Sequence, residues 1–332
     1  MIGSVNTCGT SQFWQPTTTL EARRARADLL RAIREYFYQR DVLEVDTPLL
    51  SNGTVTDEHL DAFVTAFAHG NTGKPVNLYL QTSPEYAMKR LLCAQSGSIY
   101  QICKAFRHEG EGRWHNPEFT MLEWYRLGYD HLQLMDDVDA LLVTTLGTEP
   151  GDKLTYQNAF IEHLALDPLT ATDDMLESAL REHNIDIHAP QTLSSDSKLQ
   201  LLFSYCIEPR IGIQKPCFIY EFPASQAALA KLSRRDSRVA ERFEVYFKGA
   251  ELANGFNELS EAEEQRRRFE SDNKKREKAG LETKPIDEHF LSALEKGLPA
   301  CAGVALGVDR LLMLKMGASH IQDVINFPVS RA

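Results

Sequence analysis

Three stretches of the chain carry charged side chains at spacings that suit phosphate chemistry. The first is Arg107 with Glu109, at alternate positions of a largely apolar run, followed by the loop Gly110-Glu111-Gly112-Arg113-Trp114-His115-Asn116-Pro117. The pair reads either as a structural ion pair or as the floor of a pocket. The guanidinium and amide donors of the loop suit folding over phosphate oxygens. The second stretch holds Glu244, Glu251, Asn254 and Glu258. It reads either as a solvated edge strand or as a Mg²⁺ site of one or two carboxylates completed by nucleotide phosphates, with a remaining acid free to grip an ammonium group. The third is Gly307 followed by Arg310, where a helix amino end would meet an anion, unless Arg310 is simply a surface residue. No Walker A sequence and no G-x-G-x-x-G behind a strand is present, so a nucleotide would use another cradle.

Period-two alternation predicts strands at 99–109 and 118–126 to position the first stretch. Gln101, Cys103, Ala105, Arg107 and Glu109 then share one face, and Phe119, Met121, Glu123 and Tyr125 share a face of the partner. Strand-like runs at 218–222 and 243–256, with a turn at Lys248-Gly249, carry the second. Glu251 and Glu258 are an odd number apart, so a bulge at Asn254-Gly255 is expected to bring them to one side. The third lies where strand 301–307 enters a helix whose 311–316 stripe is core. Upstream, a helix begins at a capping box of Thr18 and Glu21 and buries Leu29, Ile33 and Phe37. Short strands follow at 42–48 and 78–82, and Ser83 caps a helix with Pro84 in its first turn. Residues 1–17 read as an irregular arm, and 148–215 as a helical insertion with helices near 172–183 and 197–206. The run 260–278 reads as a solvated helix, and Arg234, Arg235, Arg238 and Arg242 as a basic surface, either a solvated helix face or a dock for an acidic protein.

Composition narrows the function. The 332 residues hold 36 Lys+Arg against 47 Asp+Glu, a net charge of −11, which argues against a dominant nucleic-acid backbone binder. Six scattered cysteines (Cys8 among them) form no metal-ligand spacing and read as reduced thiols. His59, His69, His163, His183 and His289 have no spaced partners. No apolar run is long enough to span a bilayer, and the first residues lack the form of a secretory signal, so a cytoplasmic protein is expected.

Taken in order, these stretches resemble the signature motifs of class II aminoacyl-tRNA synthetases. The helix leading into VLEVDTPLL resembles motif 1, the dimer-interface element; FRHEGEGRWHNPEFTMLEWY resembles motif 2, and GVALGVDR motif 3. TSPEYAMKRLL, HNPEFTMLEWY and ELANGFNEL are similar to the lysyl branch. The resemblance implies an α+β fold, a mostly antiparallel sheet flanked by helices, in one catalytic domain over 1–332. An anticodon-binding domain needs on the order of 50–150 residues, and none is expected at either end. That pattern resembles the elongation factor P–(R)-β-lysine ligases, and implies ATP and Mg²⁺ as co-substrate and metal, elongation factor P and (R)-β-lysine as partners, a homodimer and no tRNA. By resemblance, Arg107 bridges the substrate carboxylate and the α-phosphate. Glu109, Asn116 and Phe119 hold adenine, Glu251 with Leu252 and Gly307 complete the ATP site, and Arg310 takes the γ-phosphate. Glu244 and Glu251 would hold Mg²⁺. Ser83, Glu85, Tyr125, Asn254, Glu258 and Ala305 would line the amino-acid pocket, with Ala305 standing where lysyl-tRNA synthetases usually carry glycine. A short lysyl-tRNA synthetase-like enzyme and a catalytically silent regulator are the alternatives.

Overall fold

The computed structural model describes residues 14–58, 60–68, 73, 75–187 and 193–332. Residues 1–13 of the expected arm, with Cys8, and His59 and His69 lie outside the described residues. Helix α1 (Leu20–Tyr38) starts where the Thr19 hydroxyl accepts the Ala22 amide at 3.1 Å. The expected capping box at Thr18 is not formed, because Thr18 donates to Asn326 Oδ1 at 2.6 Å and ties the helix start to the C-terminal segment. Leu29, Ile33 and Phe37 form its buried stripe as expected, and Phe37 stacks on Tyr100 with ring centroids 4.4 Å apart.

The run expected as a strand over 42–48 pairs only at β1 (Leu43–Glu44), alongside Ile99 and Tyr100. Strands β2 (Leu50–Ser51), β3 (Val64–Ala68) and β4 (Pro75–Leu80) form a small antiparallel sheet with β4 central. Helix α2 (Glu85–Cys93) follows; Pro84 is its N-cap rather than its first helical residue, and the Ser83 hydroxyl accepts the Glu85 amide at 3.4 Å. Strands β5 (Ile99–Phe106) and β6 (Glu118–Leu127) pair antiparallel, and α3 (His131–Leu146) is closed by a capping box of Asp130 and Gln133.

Residues 148–215 contain β7 (Asp152–Thr155), α4 (Tyr156–Leu164), α5 (Asp173–Glu182) and α6 (Ser195–Leu202), which runs into a π turn at Phe203–Ile207. The segment is not wholly helical: β7 joins the main sheet, parallel to β8 (Cys217–Pro223). Strands β9 (Val239–Phe247) and β10 (Ala250–Asn257) form the expected hairpin, whose turn holds both Lys248 and Gly249 at positive φ, 51° and 75°. Helices α7 (Ala262–Lys278) and α8 (Glu288–Lys296), strand β11 (Cys301–Gly307) and helix α9 (Val308–Met316) complete the chain. Helix α7 is not solvated all round, since Gln265, Phe269 and Arg276 are buried.

The main sheet runs β1-β5-β6-β11-β10-β9-β8-β7, antiparallel except at its two edges. Alternation divides it. Leu122, Trp124, Phe243, Val245 and Leu306 pack with α1, α3 and α9 into the main core; the other face carries polar side chains between two further apolar clusters, one with Ile99, Tyr125 and Cys301 and one with Cys217, Ile219 and Tyr246. No helix among the described residues is long and apolar enough to cross a membrane.

Candidate active site

Two cavities open on the polar face of the sheet and meet at Arg107, Asn254 and Ala305. One contains Ser83, Glu85, Glu123, Tyr125 and Glu258; the other contains Glu109, His115, Asn116, Phe119, Glu251, Leu252, Gly307 and Arg310. The sequence-derived residues thus fall into two groups, one in each cavity, except Glu244, which lines neither.

The meeting point is built by register. Ala305 of β11 stands opposite Glu123 of β6 on one side and Asn254 of β10 on the other, so the three side chains share a face. Asn254 is in turn opposite Glu244. The bulge that aligns Glu251 with this face lies between Glu251 and Ala253, not at Asn254-Gly255, where pairing is regular. Arg107 continues from β5; its amide donates to Pro117 O at 2.9 Å, and its guanidinium lies 5.3 Å from the Phe119 ring centroid. The Arg107 Nε is buried without a partner, in a residue that lines both cavities. Desolvation pulls this guanidinium below its ordinary pKa, while the charges of Glu109 and Glu251 work in the opposite direction.

In the second cavity, Arg310 donates to Glu251 O at 2.6 Å and Trp114 O at 3.3 Å, and lies 2.8 Å from His115 Nε2. Arginine has only donors, so His115 accepts on Nε2 and is neutral. Desolvation by the surrounding chain, then the Arg310 charge, holds this imidazole below its ordinary value. The adjacent Asp309 accepts Arg26 of α1 and the Thr120 amide, both at 2.6 Å, locking the first turn of α9 to α1 and β6. The Asn116 amide is committed within the chain: it donates to Glu118 O at 2.6 Å and accepts the Val329 amide at 3.1 Å.

The other cavity is acidic. Glu123 is buried, with Tyr125 donating to its Oε1 at 2.6 Å and its Oε2 unpartnered. Burial, reinforced by the Glu85 charge, pushes its carboxyl well above the usual carboxylate range. A positively charged group placed there would favour the ionised form of Glu123. Lys89 of α2 is fully buried and paired with both Glu85 and Glu258. Burial alone would lower its ammonium, but the two carboxylates outweigh that and raise it. Glu258 therefore carries an internal counterion, whereas Glu123, on the cavity floor, forms no ion pair among the described residues. Glu123 and Lys89 were both within reach of sequence reasoning: Glu123 alternates with Tyr125, and Lys89 follows Glu85 by one helical turn.

Glu244 is buried between Arg242 and Tyr246, which both donate to its carboxylate. Burial and then the nearby charges act on it, with Glu251 raising it and Arg242 opposing. Arg242 is consequently part of the site rather than of a basic surface, and it also donates to Gln226 O and Asn254 Oδ1. Arg234, Arg235 and Arg238 lie in the connection before β9, not on a helix, and Arg238 is paired with Asp236. Among the described residues no cluster of three or more His, Cys, Asp or Glu could hold a metal ion by itself. The two carboxylates of Glu244 and Glu251 stand on neighbouring strands, with the Glu251 charge raising the cost of ionising Glu244, and fit a hard cation only when phosphate oxygens complete it.

Residues 16–331 match the family of class II tRNA synthetases (D, K and N). The chain is 54% identical over 319 residues to the elongation factor P–(R)-β-lysine ligase of Vibrio atlanticus (strain LGP32), covering 96% of this chain and 99% of that one. The protein of that name from Edwardsiella ictaluri (strain 93-146) is also 54% identical, over 96% of this chain and 98% of its own. The one from Pseudoalteromonas translucida (strain TAC 125) is 53% identical, over 96% and 99%. With its antiparallel-dominated sheet and helices on the flanks, the chain belongs to the class II tRNA synthetase family and, within it, to the family of elongation factor P–(R)-β-lysine ligases.

Proposed function

We propose that this chain activates (R)-β-lysine with ATP and transfers it to the ε-amine of a lysine on elongation factor P. The observation that carries the reading is the meeting of an acidic cavity with an Arg310-bearing cavity at Arg107, whose buried Nε has no partner. An amino acid with two ammonium groups suits the first, and a triphosphate the second.

In the first half-reaction a carboxylate oxygen attacks the α-phosphorus of ATP, the bond to the β-phosphate oxygen breaks, and pyrophosphate leaves. Arg107 spans the two reactants and stabilises charge building on the phosphoryl oxygens; positioning and electrostatics supply the rate. Arg310, held beside Glu251 and His115, receives the γ-phosphate, and Phe119 with Glu109 the adenine. Asn116, with its amide already used, acts by fixing the loop. Glu244 and Glu251 would hold Mg²⁺, which supplies charge neutralisation of the phosphates. Glu123 takes one substrate ammonium group, while Ser83, Glu85, Tyr125, Asn254 and the Lys89–Glu258 pair shape the rest of the pocket.

In the second half-reaction a neutral lysine ε-amine attacks the acyl carbon of the adenylate, an amide forms, and AMP departs with its phosphate oxygen. The amine gives up a proton, against a reference pKa of about 10.4. Tyr38 and Leu43, strongly exposed on α1 and β1, form the face through which a second copy binds. The working compartment is the cytoplasm. Amino-acid-dependent exchange of pyrophosphate into ATP tests the reading: (R)-β-lysine should support it far better than L-α-lysine, and equal or reversed support would overturn the assignment.

A further inference from the structure

Helix α7 is among the most charged stretches of the chain, yet it turns Phe269, Asp272 and Arg276, at i, i+3 and i+7, toward the interior. Phe269 and Asp272 line the amino-acid cavity. Arg276 lies behind them with its side chain 1% exposed. Its guanidinium donates to Glu282 O, Asp57 O and Asp61 Oδ1, each at 2.8 Å. Two of its bonds are thus spent on irregular backbone and the third on the Asp61 carboxylate, a costly use of a buried charge unless the held segment matters.

That segment faces the substrate. Val55, Thr56, Asp57 and Leu60 form one wall of the amino-acid cavity. They belong to no helix or strand, so their position depends on outside ties. Thr56 donates to Asp272 Oδ2 at 3.1 Å, and the Thr54 amide donates to Pro285 O at 3.3 Å. Asp61 O accepts the amide of His108 at 2.9 Å, one residue beyond Arg107. Lys284 Nζ, 3.5 Å from Asp61 Oδ1, supports the same carboxylate.

We propose that Arg276 is a positioning residue for amino-acid binding: through Asp57 it fixes the cavity wall against α7, while Asp61 and Glu282 O hold its guanidinium in place. A displacement of about 1 Å in such a wall is enough to cost up to roughly 10²-fold in rate or binding. The effect belongs to the amino acid, because the ATP-side cavity shares none of these wall residues.

The inference rests on the β-lysine reading, and the wild-type exchange assay tests that reading separately. In the full chain, Arg276→Ala should raise the KM for (R)-β-lysine roughly tenfold or more, with ATP affinity measured by titration unchanged. Amide hydrogen exchange should accelerate at residues 54–61 and stay as in wild type across β10 and β11. Arg276→Lys, which keeps the charge but loses the three-way fork, should restore part of the KM. If Arg276→Ala does not fold, Thr56→Val, which removes only the bond to Asp272, should give a smaller rise in the same KM. Unchanged KM and unchanged protection would overturn the proposal. So would a parallel loss of ATP and amino-acid binding with protection lost everywhere, since that is what a purely structural role produces.

Discussion

The methyl group of Ala305 stands between Glu123 and Asn254 in the register of three strands, where the two cavities meet. Removing it with Ala305→Gly frees space beside Glu123, the acid proposed to take an ammonium group. L-α-lysine should gain in kcat/KM relative to (R)-β-lysine, by up to the roughly 10–200-fold that one methylene commands; an unchanged ratio in pyrophosphate exchange would remove Ala305 from selection. His115 provides a second test. Its imidazole is held below its ordinary value in the free protein, so an NMR titration should give a midpoint under the reference of about 6.5. The unfolded chain then binds this proton more readily, and the contribution to stability is present above about pH 6.5 and lost as the pH falls through the folded value. ATP should raise the midpoint by placing phosphate beside the ring, and a fall on ATP binding would contradict the site as described. Many of these residues were legible as types on alternating positions. What the sequence could not show was occupancy: that Lys89 already neutralises Glu258, that Arg242 holds Glu244, and that the Asn116 amide is spent. Each depends on partners brought together only by the fold.

At the scale of elements, the two strand pairs, the hairpin turn at Lys248-Gly249 and the strand–helix junction at Gly307 follow from alternation and turn chemistry. The bulge and the first helix cap do not. A bulge is placed by which residue the neighbouring strand leaves unpaired, and here that is Leu252. Thr18 and Thr19 are equivalent locally, and only the distant Asn326 separates them. The same kind of distant tie joins α1 to the ATP side, where Arg26 reaches Asp309 at 2.6 Å and Thr120 Oγ1 at 2.5 Å. Arg26→Ala should therefore loosen the first turn of α9 and raise the KM for ATP roughly tenfold, the scale of one charge-assisted bond, while leaving that for (R)-β-lysine near wild type. Steady-state kinetics with each substrate varied in turn would show it, and an equal effect on both would contradict the assignment of this tie to Arg310 and its neighbours.

Across the whole molecule, the architecture puts one apolar face of an eight-stranded sheet against α1, α3 and α9 and sets the polar side chains on the other face between two further apolar clusters. The antiparallel centre followed from the family resemblance, while alternation gave only its strand pairs; the β6–β11 pairing joins strands far apart in sequence. Its parallel edges were not readable: β7 is four residues inside a stretch dominated by helices, and β1 is two residues long. Around that frame the chain's net charge of −11 coexists with a site built from buried arginines and acids, so bulk charge speaks to the partner and local charge to the substrate. Transfer to the acceptor separates this enzyme from one that charges tRNA. Purified elongation factor P is incubated with the enzyme, ATP and (R)-β-lysine, and the intact mass of the factor is followed. The account predicts a gain of one β-lysyl group on a single lysine, dependent on ATP and lost with Arg107→Ala. Adenylate formation with no mass gain on the factor, or label appearing on tRNA instead, would contradict it.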